Sequence, residues 1–307
     1  MYSATKLELF LFLEKIYCII FAGGHYFGRG GSAVDSFTGD IGAMQLPTLP
    51  KEIHGPSMVL HNGNILLCGG YNNEKTCYQL IHATWKQQST LNEGRVMHSA
   101  VATQSATFIF GGRCSSNTYE YLPKDSTSWL MGKSKIPNGF WNGFAIGVKS
   151  NEEIWLIGGT GNQRRILSFN VNDHTFRELP SRLNLGRTLH RCAFIPNTNK
   201  VMVTGAYNSD STEIIDTTDE SVIMGGPMNS KRRGHGMDVI TIDGEERLAV
   251  FGGEDLHGRV EWRNELDSVE LYNNKTKKWE ITHMKLREAR SDFGFLKVVL
   301  ADILAKI

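Results

Sequence analysis

The chain has 307 residues, with 33 Lys+Arg against 32 Asp+Glu and a formal charge of +1. That balance argues against a dedicated nucleic-acid binder, which carries a basic excess. Apolar residues at 40% and charged residues at 21% mark a folded chain rather than a disordered one, and 32 glycines against 8 prolines point to many tight turns.

The N-terminal stretch at 7–13 is apolar, but Glu8, Glu14 and Lys15 interrupt it before Ile16. It is too broken for a signal-peptide core and too short for a membrane helix. Five scattered cysteines without a C-x-x-C pair form neither a disulfide scaffold nor a zinc ribbon. Their odd number leans toward a reducing, cytoplasmic setting, with secretion left open.

A short apolar run followed by a glycine pair recurs along the chain. In order, the pairs are Gly23-Gly24, Gly69-Gly70, Gly111-Gly112, Gly158-Gly159, Gly205-Ala206 and Gly252-Gly253, at intervals of 42 to 47 residues. After each comes a second strand and a pair of large apolar residues: Phe37/Met44, Tyr78/Trp85, Tyr121/Trp129, Phe169/Phe176, Ile215/Val222 and Tyr272/Trp279. Before the run stands an Arg-x-x-His lead-in at Arg95-Val96-Met97-His98, Arg187-Thr188-Leu189-His190 and Arg232-Arg233-Gly234-His235. It is degraded at Ile53-His54-Gly55-Pro56 and Phe140-Trp141-Asn142-Gly143. Asn62-Gly63 and Asp243-Gly244 predict primed hairpin turns between the first two strands of a unit. Four short antiparallel strands repeated at this length are the blades of a propeller.

The glycine doublet, the spaced aromatic pair and the Arg-x-x-His lead-in resemble the Kelch repeat over nearly the whole chain. The resemblance implies an all-β, six-bladed Kelch β-propeller with four antiparallel strands per blade, spanning 16–299, with 1–15 and 300–307 as appendages. The fifth unit departs most, through Ala206 and the aliphatic pair. Ring closure is expected from the C-terminus, where Arg290-Ser291-Asp292-Phe293 repeats the lead-in register. The competing donor of that strand is residues 7–13. The marks themselves are structural: glycine permits left-handed backbone and close approach, and Tyr and Trp are wedges whose polar tips can reach a backbone partner.

Motifs for chemistry are weak. There is no G-x-S-x-G and no H-E-x-x-H, and Gly28-Arg29-Gly30-Gly31-Ser32-Ala33 lies between strands rather than before a helix. The recurring His98, His190 and His235 read as structural. No cofactor or metal is expected, and no catalytic residue is assigned.

Function is therefore expected on the face where the links between blades and the loops between second and third strands emerge. The candidate partner-binding residues are Arg29, Arg95, Arg113, Arg164, Arg233 and Arg259 with His54, Tyr71, Trp141 and Asn142; Tyr26 and Trp262 join them there. Arginine forks suit carboxylates, and arginine and aromatic residues tend to become hot spots, so the expected partner is a protein segment, acidic in character. Neither nucleic acid nor membrane is expected as a partner.

BTB–Kelch ubiquitin-ligase adaptors use the propeller to choose substrates; here a link to that machinery would require a BTB region the sequence does not display. The resemblance also admits a sugar-active enzyme, such as a sialic acid mutarotase or an oxidase, with Glu254 and Asp255 as the acids at hand. A third reading is an extracellular adhesion-type propeller.

Overall fold

A computed structural model describes residues 17–26, 29–39, 42–148, 152–256 and 264–304. Six four-stranded antiparallel sheets form the ring. The first blade runs Gly294–Val299, Tyr17–Ala22, Val34–Thr38 and Gly42–Leu46 from the inside outward. The C-terminal strand is thus its innermost strand, pairing Tyr17 with Val299 through Ala22 with Gly294. The ring closes as the Arg290 register predicts, and the inner edge of Tyr17–Ala22 is paired rather than exposed. The competing donor, residues 7–13, lies outside the described residues. The other blades are continuous in sequence; their innermost strands are Ser57–His61, Ser99–Ala102, Phe144–Val148, Arg191–Phe194 and Gly236–Ile242.

The second strand of each blade is a continuous apolar run because it is buried on both faces. Alternate side chains point to opposite faces of a strand. In Tyr17–Ala22, Cys18, Ile20 and Ala22 pack toward the second blade, with Leu67 and Trp85. Ile19 and Phe21 pack toward the sixth, with Ala249 and Phe251. The same sorting places Ile154 and Leu156 in one cluster and Trp155 and Ile157 in the next. Among the described residues there are therefore six apolar cores, one between each pair of neighbouring blades.

Turn chemistry follows the sequence. Asn62-Gly63 and Asp243-Gly244 have positive φ at both central residues, the primed geometry that matches strand twist. In the five Gly-Gly doublets both residues have positive φ. At Gly111 a Cβ would lie 1.7 Å from the carbonyl oxygen of Phe140, so only glycine fits. Ala206 cannot follow its glycine counterparts. The second strand of the fifth blade instead runs on through it, Lys200–Ala206, and turns at once into Ser209–Asp216, with a register shift at Thr204/Ala206. The fifth blade thus has a tight hairpin where the others have a loop.

The aromatic wedges need two corrections. In the third blade Leu122, not Tyr121, shares the inter-blade core with Trp129; Tyr121 faces the next core. Of the tryptophan tips, Trp85 Nε1 donates to Pro47 O at 2.8 Å, whereas the Nε1 atoms of Trp129 and Trp279 are buried without a hydrogen-bond partner among the described residues.

Residues 300–304 form a short helix, Leu300–Leu304, whose Leu300 packs into the core between the first two blades. No helix among the described residues is long and apolar enough to cross a membrane.

Cys68 and Cys77, on neighbouring strands of the second blade, form a disulfide across nine residues of sequence. Closing a loop of that size removes unfolded-state entropy equivalent to about 2–3 kcal/mol. A Cys68→Ser/Cys77→Ser double variant is expected to lower stability by that amount, read from the urea midpoint, and reductant should lower the wild type alike.

Candidate functional site

The links between blades build the face on which the sequence places function. Each lead-in contributes three successive layers, counted from its first residue.

The first residue is a staple. Its carbonyl accepts from the amide of the second doublet residue of the preceding blade: Gly24 N donates to Ile53 O, Gly70 N to Arg95 O, Gly112 N to Phe140 O, Gly159 N to Arg187 O, Ala206 N to Arg232 O and Gly253 N to Arg290 O, all at 2.8–3.2 Å. Where that residue is arginine, its guanidinium turns into the following blade. Nη1 of Arg95, Arg187 and Arg232 donates to the first doublet carbonyl there, at Gly111, Gly205 and Gly252, each 2.7 Å away. A buried carboxylate on the third strand completes each pair: Glu120, Glu213 and Glu270, with Asp35 taking Arg290. Burial lowers the Arg95 guanidinium below its ordinary pKa, and Glu120 opposes that. Where arginine is missing, an apolar residue packs instead, Ile53 or Phe140. At Phe140, Arg165 of the fourth blade supplies the cation from the other side, donating to Pro137 O and Gly139 O at 2.6 and 2.9 Å.

The third residue makes a belt around the axis. Gly55 N donates to Asp292 O, Met97 N to Gly55 O, Asn142 N to Met97 O, Leu189 N to Asn142 O, Gly234 N to Leu189 O and Asp292 N to Gly234 O, at 2.7–3.0 Å. All six have φ between 51 and 66°, the left-handed conformation that turns both amide and carbonyl along the ring. The belt leaves a cavity of only about 20 Å³. Among the described residues the belt thus narrows the channel on this face, and we term the ring of lead-ins and loop starts around it the dish.

The second residue forms an outer ring with the residue that follows each doublet. Tyr71 N donates to His54 O at 2.8 Å, Arg113 N to Val96 O at 2.9 Å, Thr160 N to Trp141 O at 2.8 Å and His25 N to Ser291 O at 2.6 Å, while Arg233 and Glu254 exchange both bonds. These links confirm that blade links and second-to-third-strand loops share one face.

The predicted residues separate accordingly. His54, Tyr71, Arg113, Trp141 and Arg233 all lie on the outer ring. Asn142 lies in the belt. Arg164 is exposed on its loop, with Nε donating to Leu183 O at 2.6 Å. Arg95 is wholly buried in its staple, so it presents nothing to a partner. Arg259 and Trp262, with the side chains of Arg29 and Tyr26, lie outside the described residues.

Within the ring an aromatic ladder joins the first two blades and reaches an arginine of the third. The His25 and His54 rings meet edge to face at 4.8 Å, and His54 stacks on Tyr71 at 4.4 Å. The Tyr71 hydroxyl then accepts Arg113 Nη1 at 2.8 Å. Across the dish, the Arg233 guanidinium sits 4.6 Å above the Tyr207 ring and is ion-paired to Glu254. Tyr207, 57% exposed, and His25 are the residues that sequence reasoning missed. Their signal was available, since each follows its doublet as Tyr71 does. The dish is less cationic than its arginine count suggests: Arg95 and Arg233 are neutralised by carboxylates. Glu254 and Asp255, the acids weighed for sugar chemistry, are buried. Among the described residues no group of three or more His, Cys, Asp or Glu is placed to hold a metal.

The blades, doublets and arginine staples make this chain a six-bladed β-propeller, and the relatives it resembles in sequence are named as Kelch proteins. The chain is 27% identical over 116 residues to Kelch repeat and BTB domain-containing protein 1 of horsepox virus, covering 34% of this chain and 20% of that protein. It is 26% identical over 129 residues to Kelch domain-containing protein 3 of Homo sapiens, covering 38% of this chain and 34% of that one. The matches thus span a fifth to a third of these relatives. No family model matches. A solved structure titled "Structure of YjhT" superposes with a TM-score of 0.69 over 80% of this chain and 88% of that one, at 13% identity, a likeness of fold alone.

Proposed function

We propose that this protein is a non-enzymatic interaction module that holds a segment of a partner protein against the dish. The aromatic ladder His25–His54–Tyr71, ending on the exposed Arg113, carries this reading. It is a preformed platform of rigid, amphipathic rings with a cation at one end, the composition from which hot spots are made. Arg113 and Arg164 remain available for carboxylates on the partner. The two relatives named above, one poxviral and one human, are both named as Kelch proteins, which supports the same reading.

The test is retention of partner protein on immobilised propeller. A Tyr71→Ala/Arg113→Ala variant, folded by circular dichroism, is expected to retain its partner at least about tenfold less than wild type. An Arg247→Ala variant, on the far side of the ring, should retain it fully. Equal retention by wild type and the double variant would sink the proposal.

A further inference from the structure

Narrowed on one face, the channel is open on the other. There it widens into a cavity of about 820 Å³ between the innermost strands, reaching the turn at Asn197–Asn199 and Glu246 at its rim. That volume is in the usual range for small-molecule sites, roughly 300–1,000 Å³. Toward the belt the cavity ends on an aromatic floor. Phe144 and Phe295, from the fourth and first blades on opposite sides of the ring, stack across the axis at 6.4 Å and 19°. The Arg191 guanidinium carbon lies 5.7 Å from both ring centroids.

Arg191 differs from every arginine in the staples. Those saturate their donors with carboxylates and carbonyls. Arg191 makes one hydrogen bond, from Nη1 to His190 O at 3.1 Å, and its Nε is buried with no partner among the described residues. It forms no ion pair there; the nearest attraction is to Asp292 in the belt, at longer range. A buried guanidinium with unused donors is costly, and an anion reaching it would recover that cost.

We propose that the wide end of the channel binds a small organic monocarboxylate with an apolar body, its carboxylate on Arg191 and its body over Phe144 and Phe295. The charges in the cavity select a monoanion. Lys297 adds a second cation, its ammonium 4.6 Å over the Tyr17 ring, while Asp238 and Glu246 on the walls and rim oppose further negative charge. A guanidinium fork matches a carboxylate bidentately, and the extra negative charge of a phosphate dianion would be opposed by Asp238 and Glu246.

Phenylacetate, 3-phenylpropionate and 4-methylpentanoate, each beside its uncharged alcohol, are the probes for calorimetric titration of the full chain. At least one acid should saturate the wild type with a Kd of about 1 mM or tighter, and its alcohol should bind about tenfold more weakly or worse. Arg191→Met should abolish that preference. If that variant unfolds, the acid–alcohol comparison decides on the wild type alone, together with methyl NMR, where Val101 and Ile146 in the channel wall should shift. Failure of all three acids to bind, equal binding of acid and alcohol, or shifts confined to residues outside the channel would each overturn the proposal.

Discussion

Replacing Arg187 by methionine is expected to destabilise the propeller by roughly 3–5 kcal/mol. Arg187 and Glu213 are both wholly buried, with Nε and Oε1 2.9 Å apart. The guanidinium also donates to Gly205 O, Ser211 O and Ser211 Oγ, while Glu213 accepts the amides of Asn184 and Leu185. One side chain thus fastens the fifth blade's doublet and third strand to the link that precedes them. Methionine would fill much of the space but leave a carboxylate buried without its counter-charge, and that uncompensated charge dominates the loss. An Arg187→Met/Glu213→Gln double variant should recover part of it, because neutralising both partners removes the unpaired charge. Urea unfolding of the four species gives the coupling directly. A loss below about 1 kcal/mol for Arg187→Met would show that the staples add little to the ring.

Acidification is the second large effect. His98, His190 and His235 are buried at the starts of their blades. His98 Nε2 meets Ser57 Oγ at 2.6 Å, and His235 Nε2 meets Thr204 Oγ1 at 2.8 Å. Burial, reinforced by the staple arginines beside them, lowers His98 and His190 to about 3 and His235 well below its ordinary 6.5. The folded state therefore holds these rings neutral where the unfolded chain takes up protons. Stability is full above the unfolded value near 6.5 and is lost as pH falls from there toward the folded value. Each ring costs about 1.4 kcal/mol per pH unit in that window, so the three together remove about 4 kcal/mol between pH 7.5 and 5.5. Urea midpoints at the two pH values measure this. A His235→Gln variant should lose about a third of the slope; a wild-type midpoint unchanged at pH 5.5 would refute the assignment.

The sequence by itself determined the number of blades, the place of every doublet, the primed turns and the register of the closing strand. Those features are local: glycine pairs, turn residues and apolar runs repeat at a near-constant interval, and each reports backbone conformation within a few residues. It also pointed to the face where the blade links meet the loops, and to His54, Tyr71, Arg113, Trp141 and Arg233 upon it, because repeat position carries over from one blade to the next. What each arginine does there was decided only by the tertiary structure. Arg95 and Arg113 look alike along the chain, yet Arg95 spends its donors on Glu120, 25 residues onward, and Arg113 reaches back 42 residues to Tyr71. The belt likewise depends on every lead-in meeting its two neighbours around the ring, and the stacking of Phe144 on Phe295 and the setting of Arg191 between them on strands from different blades. Such contacts form only when all six blades have closed, so no periodicity in the chain announces them.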